Sequence, residues 1–160
     1  MNWHEKNAEF NILIKQLFHE NDWQKRAEAA RQLGLLKDGR ATNLMCRALR
    51  SEKDHMVVNK IIEAMGRIGD GRATLRIIEK LKEEQEKNEI DKFRILYIIE
   101  SLMKIKDKRA LSYLGPLLDS SDEDIKDLTL KAFDVIEPDW KEIIEREGNK
   151  SIQEIFRIKN

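Results

Sequence analysis

One short phrase occurs three times and sets most of the limits on this chain. It reads Asp38-Gly39-Arg40-Ala41, then Asp70-Gly71-Arg72-Ala73, then Asp107-Lys108-Arg109-Ala110. The steps are 70 − 38 = 32 and 107 − 70 = 37 residues. Self-similarity at such a period is the mark of a repeat architecture, in which each unit buries its apolar face against its neighbours. Apolar residues precede each phrase at offsets of three and four: Ala29, Ala30, Leu33 and Leu36; Val57, Ile61, Ala64, Met65 and Ile68; Ile95, Ile98, Ile99, Leu102 and Ile105. That spacing makes a stripe on a helix, not an alternating strand. The phrase therefore reads as a tight corner between antiparallel helices. Gly39 or Gly71 is expected to end one helix in the left-handed conformation. The Asp is expected to accept from free backbone donors of the next, and a ladder of such carboxylates would bond neighbouring repeats.

The spacing predicts about ten helices. The first covers residues 3–19, with Trp3, Phe10, Leu13, Ile14, Leu17 and Phe18 on one side. The second helices of successive units align without a gap as Asp22–Leu36, Asp54–Ile68, Asp91–Ile105 and Asp122–Ile136. The charged tract 82–89 accounts for the longer step as a helix extension and solvated loop. Pro138 suits the first turn of a ninth helix, and Gly148 ends it. The expected organisation is one domain, 1–160: an N-terminal capping helix in 1–21, repeats over 22–137 and capping helices in 138–160. Leu33, Met65, Leu102 and Phe133 are expected in one buried row.

Composition narrows the function classes. Lys plus Arg equals Asp plus Glu at 30 each, and a net charge of zero argues against a dedicated nucleic-acid binder. No apolar run is long enough to span a membrane, and the N-terminus has no signal-peptide pattern. The single cysteine, Cys46, fits a reducing cytoplasm and the core of a helix. The charge is polarised. Residues 1–53 carry 10 basic and 7 acidic groups, and residues 122–160 carry 7 and 11.

The stretch Lys25-Arg26-Ala27-Glu28-Ala29-Ala30-Arg31-Gln32-Leu33-Gly34, closed by Asp38-Gly39-Arg40-Ala41, resembles a HEAT-like repeat of the phycobilisome-lyase type. Ile61-Ile62-Glu63-Ala64-Met65-Gly66-Arg67-Ile68-Gly69-Asp70 repeats it. Met103 and Asp134 replace the helix glycine in the later units, and Glu137-Pro138 replaces the Asp-Gly corner. The resemblance implies an all-α, right-handed α-solenoid of HEAT-like helix pairs whose second helices line a concave, protein-binding face.

In that register the outward positions include Trp23, Ala27, Glu28, Arg31 and Leu35; Met56, Asn59, Lys60, Glu63 and Arg67; Phe93, Leu96, Tyr97, Glu100 and Lys104; and Leu128, Lys131 and Val135. Large apolar side chains with flanking cations have the composition of an interface core. The expected partner-binding set is Trp23, Arg31, Met56, Lys60, Arg67, Phe93, Tyr97 and Lys104. Charges at aligned positions are expected to pair as Arg31 with Glu63 and Glu100 with Lys131.

The expected class is a non-catalytic binding or scaffolding module with a protein partner or a second copy of itself, and with no cofactor. The alternative is an enzyme or enzyme subunit, such as a lyase for a bound chromophore or a nucleic-acid repair protein. HEAT-repeat deoxyhypusine hydroxylase holds iron through His-Glu dipeptides, and His4-Glu5 and His19-Glu20 are such pairs. The corresponding repeat positions here are Ala27-Glu28 and Asn59-Lys60, and fifteen residues of continuous helix would hold His4 and His19 about 22 Å apart. HEAT-like alkylpurine DNA glycosylases use aromatic and basic groove residues, for which Trp23, Phe93 and Tyr97 are the counterparts; the neutral charge argues against that reading.

Overall fold

The computed structural model describes residues 1–157, and every regular element among them is helical. They form ten α-helices: α1 (Trp3–His19), α2 (Trp23–Leu36), α3 (Ala41–Ser51), α4 (His55–Ile68), α5 (Thr74–Gln85), α6 (Lys92–Ile105), α7 (Leu111–Leu114), α8 (Glu123–Ile136), α9 (Trp140–Glu147) and α10 (Ile152–Ile155). Three 3-10 segments, Gly71–Ala73, Lys108–Ala110 and Gly115–Asp119, join some of them. The chain divides into two compact units, Met1–Ala73 and Thr74–Asn160.

The second helices start where an aspartate caps them. Asp22, Asp54, Asp91 and Asp122 all have extended backbone and accept from the first-turn amides, as in Met56 N to Asp54 at 2.9 Å and Phe93 N to Asp91 at 2.9 Å. Each bond satisfies a donor that the helix leaves unpaired.

In the first unit α1 lies along α2, and α2 packs extensively on α4. Gly34 sets that crossing. A Cβ there would stand 2.9 Å from both Cα and Cβ of Ala64, so the helices meet backbone against side chain. Ala30, Leu33, Met45, Val57, Ile61, Ile62 and Met65 fill the core. Each of the large side chains contributes roughly 1.5–3 kcal/mol by burial. Phe10, Leu13 and Leu17 of α1 are buried, whereas Trp3 is 69% exposed, against the expectation that it joins them.

In the second unit α5, α6 and α8 enclose Ile77, Leu81, Ile95, Ile99, Leu102 and Phe133. All four residues expected in a buried row, Leu33, Met65, Leu102 and Phe133, are at most 1% exposed. The seventh helix is broken into short pieces at Gly115-Pro116, because proline has no amide to donate and its ring crowds the preceding turn. Trp140 of α9 is buried with its ring 5.1 Å from Phe133, and its indole N–H donates to Asp134 at 2.8 Å. Phe156, just past α10, meets Phe133 edge to face at 5.7 Å. Gly115 admits Ile152 so closely that a Cβ would lie 2.7 Å from it. Pro138 precedes the ninth helix instead of starting it, and Gly148, with φ 66°, ends it.

Candidate functional site

The repeated phrase is a structural corner. At each copy the Asp accepts from the backbone amide of the Arg two residues on, and that guanidinium folds back on the same carboxylate: Asp38 with Arg40, Asp70 with Arg72, Asp107 with Arg109. The left-handed residue is not Gly39 or Gly71. It is the residue just before each Asp: Lys37 (φ 50°), Gly69 (φ 76°) and Lys106 (φ 60°). The turn thus needs no glycine after the Asp, which is why Lys108 fits there.

Two rungs of the expected ladder are visible, one in each unit. Arg72 donates to the Gly39 carbonyl at 3.0 Å, tying the second corner to the first. The buried Thr42 hydroxyl makes no hydrogen bond of good geometry, yet sits close enough to help lower the Asp70 pKa; Thr74 stands to Asp107 in the same way. The Arg72 guanidinium, aided by the Arg72 amide, lowers Asp70 to about 2 against the opposing effect of burial.

The eight expected binding residues fall in both units. In the first, Trp23 is 41% and Met56 45% exposed, each at the N-terminal end of its helix. The bidentate Arg31 guanidinium, with Gln32, holds the exposed Glu28 carboxyl down to about 2, and Lys60 adds to this. Glu63 raises Arg31 through space. Glu28–Lys60 and Arg31–Glu63 share an offset of 32 residues, so α2 and α4 run parallel in register. The face is an apolar end, Trp23 with Met56, beside a charged band.

Of the expected pairing along that band, Arg31 with Glu63 is present as a through-space attraction, and the contact ion pairs are local. Arg31 bonds Glu28 at 2.7 Å, while Glu63 takes Lys60 at 3.6 Å and Arg67 at 3.8 Å. In the second unit Glu100 takes Lys104 at 3.6 Å instead of Lys131. Residues three or four apart on one helix are nearer than the next helix, so the local partner wins. Ala27 and Asn59, expected outward, are buried.

In the second unit Phe93 is 68% exposed, with Ile90 before it 52% exposed, whereas Tyr97, Leu96 and Leu128 are half-buried. Lys92, beside Phe93, bridges to α8 through Asp124 (2.6 Å) and Asp122 (3.1 Å). These carboxylates raise the Lys92 pKa.

Two ionic groups, one half-buried and one buried, were not singled out from the sequence. Arg26 forks onto Glu52 at 3.0 and 3.1 Å and donates to the Glu20 and Asn21 carbonyls, pinning two corners together. Glu84, 1% exposed, accepts from the Asp91 amide and Lys87. Burial pushes its carboxyl up, but those partners, with the Arg94 charge, leave it below the usual range. Its place was readable: Ile77, Leu81 and Glu84 fall at offsets of four and three on one stripe. Both clusters have their polar atoms engaged and serve the fold. Cys46 is buried, and His4, His19 and His55 are exposed. Among the described residues no helix is long and apolar enough to cross a membrane.

In the first unit, second helices that run parallel and are joined by Asp–Arg corners have the arrangement a helical repeat requires. A family profile for HEAT repeats matches residues 10–90. The chain belongs to the HEAT-repeat family. The matched HEAT repeats run from within α1 through α4 and α5 to the segment before α6. Curated proteins yield no match.

Proposed function

We propose that this HEAT-repeat protein is a non-catalytic, cytoplasmic protein-binding module that engages its partner through second-helix residues, with Phe93 as the apolar anchor of the second unit and Trp23 and Met56 as those of the first. The observation that carries the reading is Phe93. A ring 68% exposed at the start of a helix, with Ile90 52% exposed three residues before it, is apolar surface whose burial by a partner would be favourable. Arg31, Lys60 and Arg67 flank the anchors of the first unit and Lys104 lies on the helix of Phe93 in the second, each braced by a glutamate, which favours orientation over raw affinity. Tyr97, half-buried, positions the helix more than it anchors a partner. The lone buried Cys46 suits a reducing compartment.

The test compares wild type and Phe93→Ala as baits in affinity capture from the native cell, followed by titration of the captured protein. Truncation of an anchor costs about 2 kcal/mol or more of binding and leaves the melting temperature near wild type. Unchanged affinity, or a large loss of stability, would show that the ring belongs to the core.

A further inference from the structure

The second unit carries a hollow of about 380 Å³ between α5, α7 and α10. Lys82 and Gln85 enter it from α5, Ser112 and Tyr113 from α7, Gln153 from α10, and Arg157 from just beyond that helix. Lys82 and Gln85 stand three residues apart, so they share one side of α5.

The charges here are arranged unlike those nearby. Arg76, Lys80, Lys87 and Lys150 each pair with a glutamate three residues away. Lys82 and Arg157 pair with none. The Lys82 ammonium stands over the Tyr113 ring, 4.8 Å from its centre. Among the described residues no carboxylate lines the hollow, and none of the six side chains makes a hydrogen bond or ion pair. Two cations, two amides and two hydroxyls thus converge with their donors unspent.

The backbone beneath them is held by the fold. Leu81 and Glu84, beside Lys82 and Gln85, are buried, as are Leu111 and Leu114 on either side of Ser112 and Tyr113. Ile152, next to Gln153, is seated against Gly115, and Phe156, next to Arg157, rests on Phe133. The groups are therefore brought together before any ligand arrives, which lowers the ordering cost of binding.

We propose that this hollow binds a phosphate group, as free phosphate or as the monoester of a small molecule. A phosphate monoester carries about −1.5 to −2 charges near pH 7, which matches two cations, whereas a carboxylate would leave one unmatched. Arg157 can fork onto two phosphate oxygens and Lys82 supplies a point charge, with the hydroxyls and amides free to take the remaining oxygens. The Tyr113 ring and Pro116 form the apolar wall against which a small organic group would lie. The volume falls at the lower end of small-molecule sites, about 300–1,000 Å³.

The test is an amide-shift titration of the full chain by NMR with inorganic phosphate, glycerol phosphate and acetate, each at ionic strength matched with chloride. Saturable shifts are expected at Gln85, Ser112, Tyr113 and Gln153 with phosphate or its monoester, with a dissociation constant of about 1 mM or tighter. Tighter binding of the monoester assigns the site to a small phosphorylated molecule, and equal or weaker binding assigns it to free phosphate. Acetate is expected to bind at least about tenfold more weakly. Lys82→Gln combined with Arg157→Gln is expected to weaken phosphate binding at least about tenfold and to leave the melting temperature unchanged, since both side chains are exposed. No saturation by about 20 mM phosphate or monoester, an equal response to acetate or to chloride alone, or binding that the double variant leaves intact overturns the proposal.

Discussion

The two units solve the same packing problem by different means. In the first, α2 and α4 approach until Gly34 touches Ala64, and the Asp38 and Asp70 corners are linked by Arg72. In the second, Met103 and Asp134 stand where Gly34 and Gly66 stand in the first. Neither permits a backbone approach, so side chains take over. Asp134 receives the Trp140 indole, Phe133 collects Trp140 and Phe156, and Glu137 accepts Lys108 at 2.8 Å where the Asp-Gly corner is lost. A repeat pattern that is kept specifies contact through backbone; one that has drifted survives by local, individually chosen contacts.

The sharpest way to break this comparison is at Phe133, which is fully buried. Phe133→Ala removes the surface on which both C-terminal aromatics rest. It is expected to cost about 3–5 kcal/mol in urea unfolding, the largest single effect proposed for either unit. A loss under about 1 kcal/mol would mean that α9 and α10 do not close the second unit.

Gly34→Ala tests the first unit. Alanine raises helix propensity by about 1 kcal/mol, but its methyl would sit 2.9 Å from the Ala64 backbone and force α2 off α4. A net loss of about 1–3 kcal/mol is expected from overpacking. At the equivalent site in α6, Met103 is half-buried, and Met103→Ala should cost less than about 1.5 kcal/mol. Equal costs at the two positions would erase the distinction drawn between the units.

Much of the fold was readable because its signals repeat. The Asp caps of the second helices recur at constant register, and a chance match at four places is harder than at one. The residue that turns each corner was misread because glycine is the usual left-handed residue, and here Lys37 and Lys106 occupy that conformation as Gly69 does. The outward face was legible in part. Trp23, Met56 and Phe93 are exposed, but a helix position at the edge of its stripe is decided by its neighbour's size, as buried Ala27 and Asn59 show. Contact ion pairs were not legible from aligned positions, since each helix offers its own partners one turn away.

The smallest expected effect concerns the corner charges. Asp70 is held at about 2, against an ordinary value of 3.8, first by the Arg72 guanidinium. A carboxyl depressed in the folded state contributes stability above its unfolded pKa, and that contribution is lost as pH falls through the interval down to the folded pKa. The Asp70 side chain is 21% and that of Arg72 55% exposed, so solvent screens the pair and about 1 kcal/mol is a realistic size. Asp70→Asn keeps an oxygen for the Arg72 amide but removes the charge. It is expected to lower the melting temperature by about 2–4 °C at pH 7, by the same amount at pH 5, and by progressively less between pH 4 and pH 2. A deficit for Asp70→Asn that stays constant down to pH 2 would show that the corner is held by shape alone and that the arginine is incidental to it.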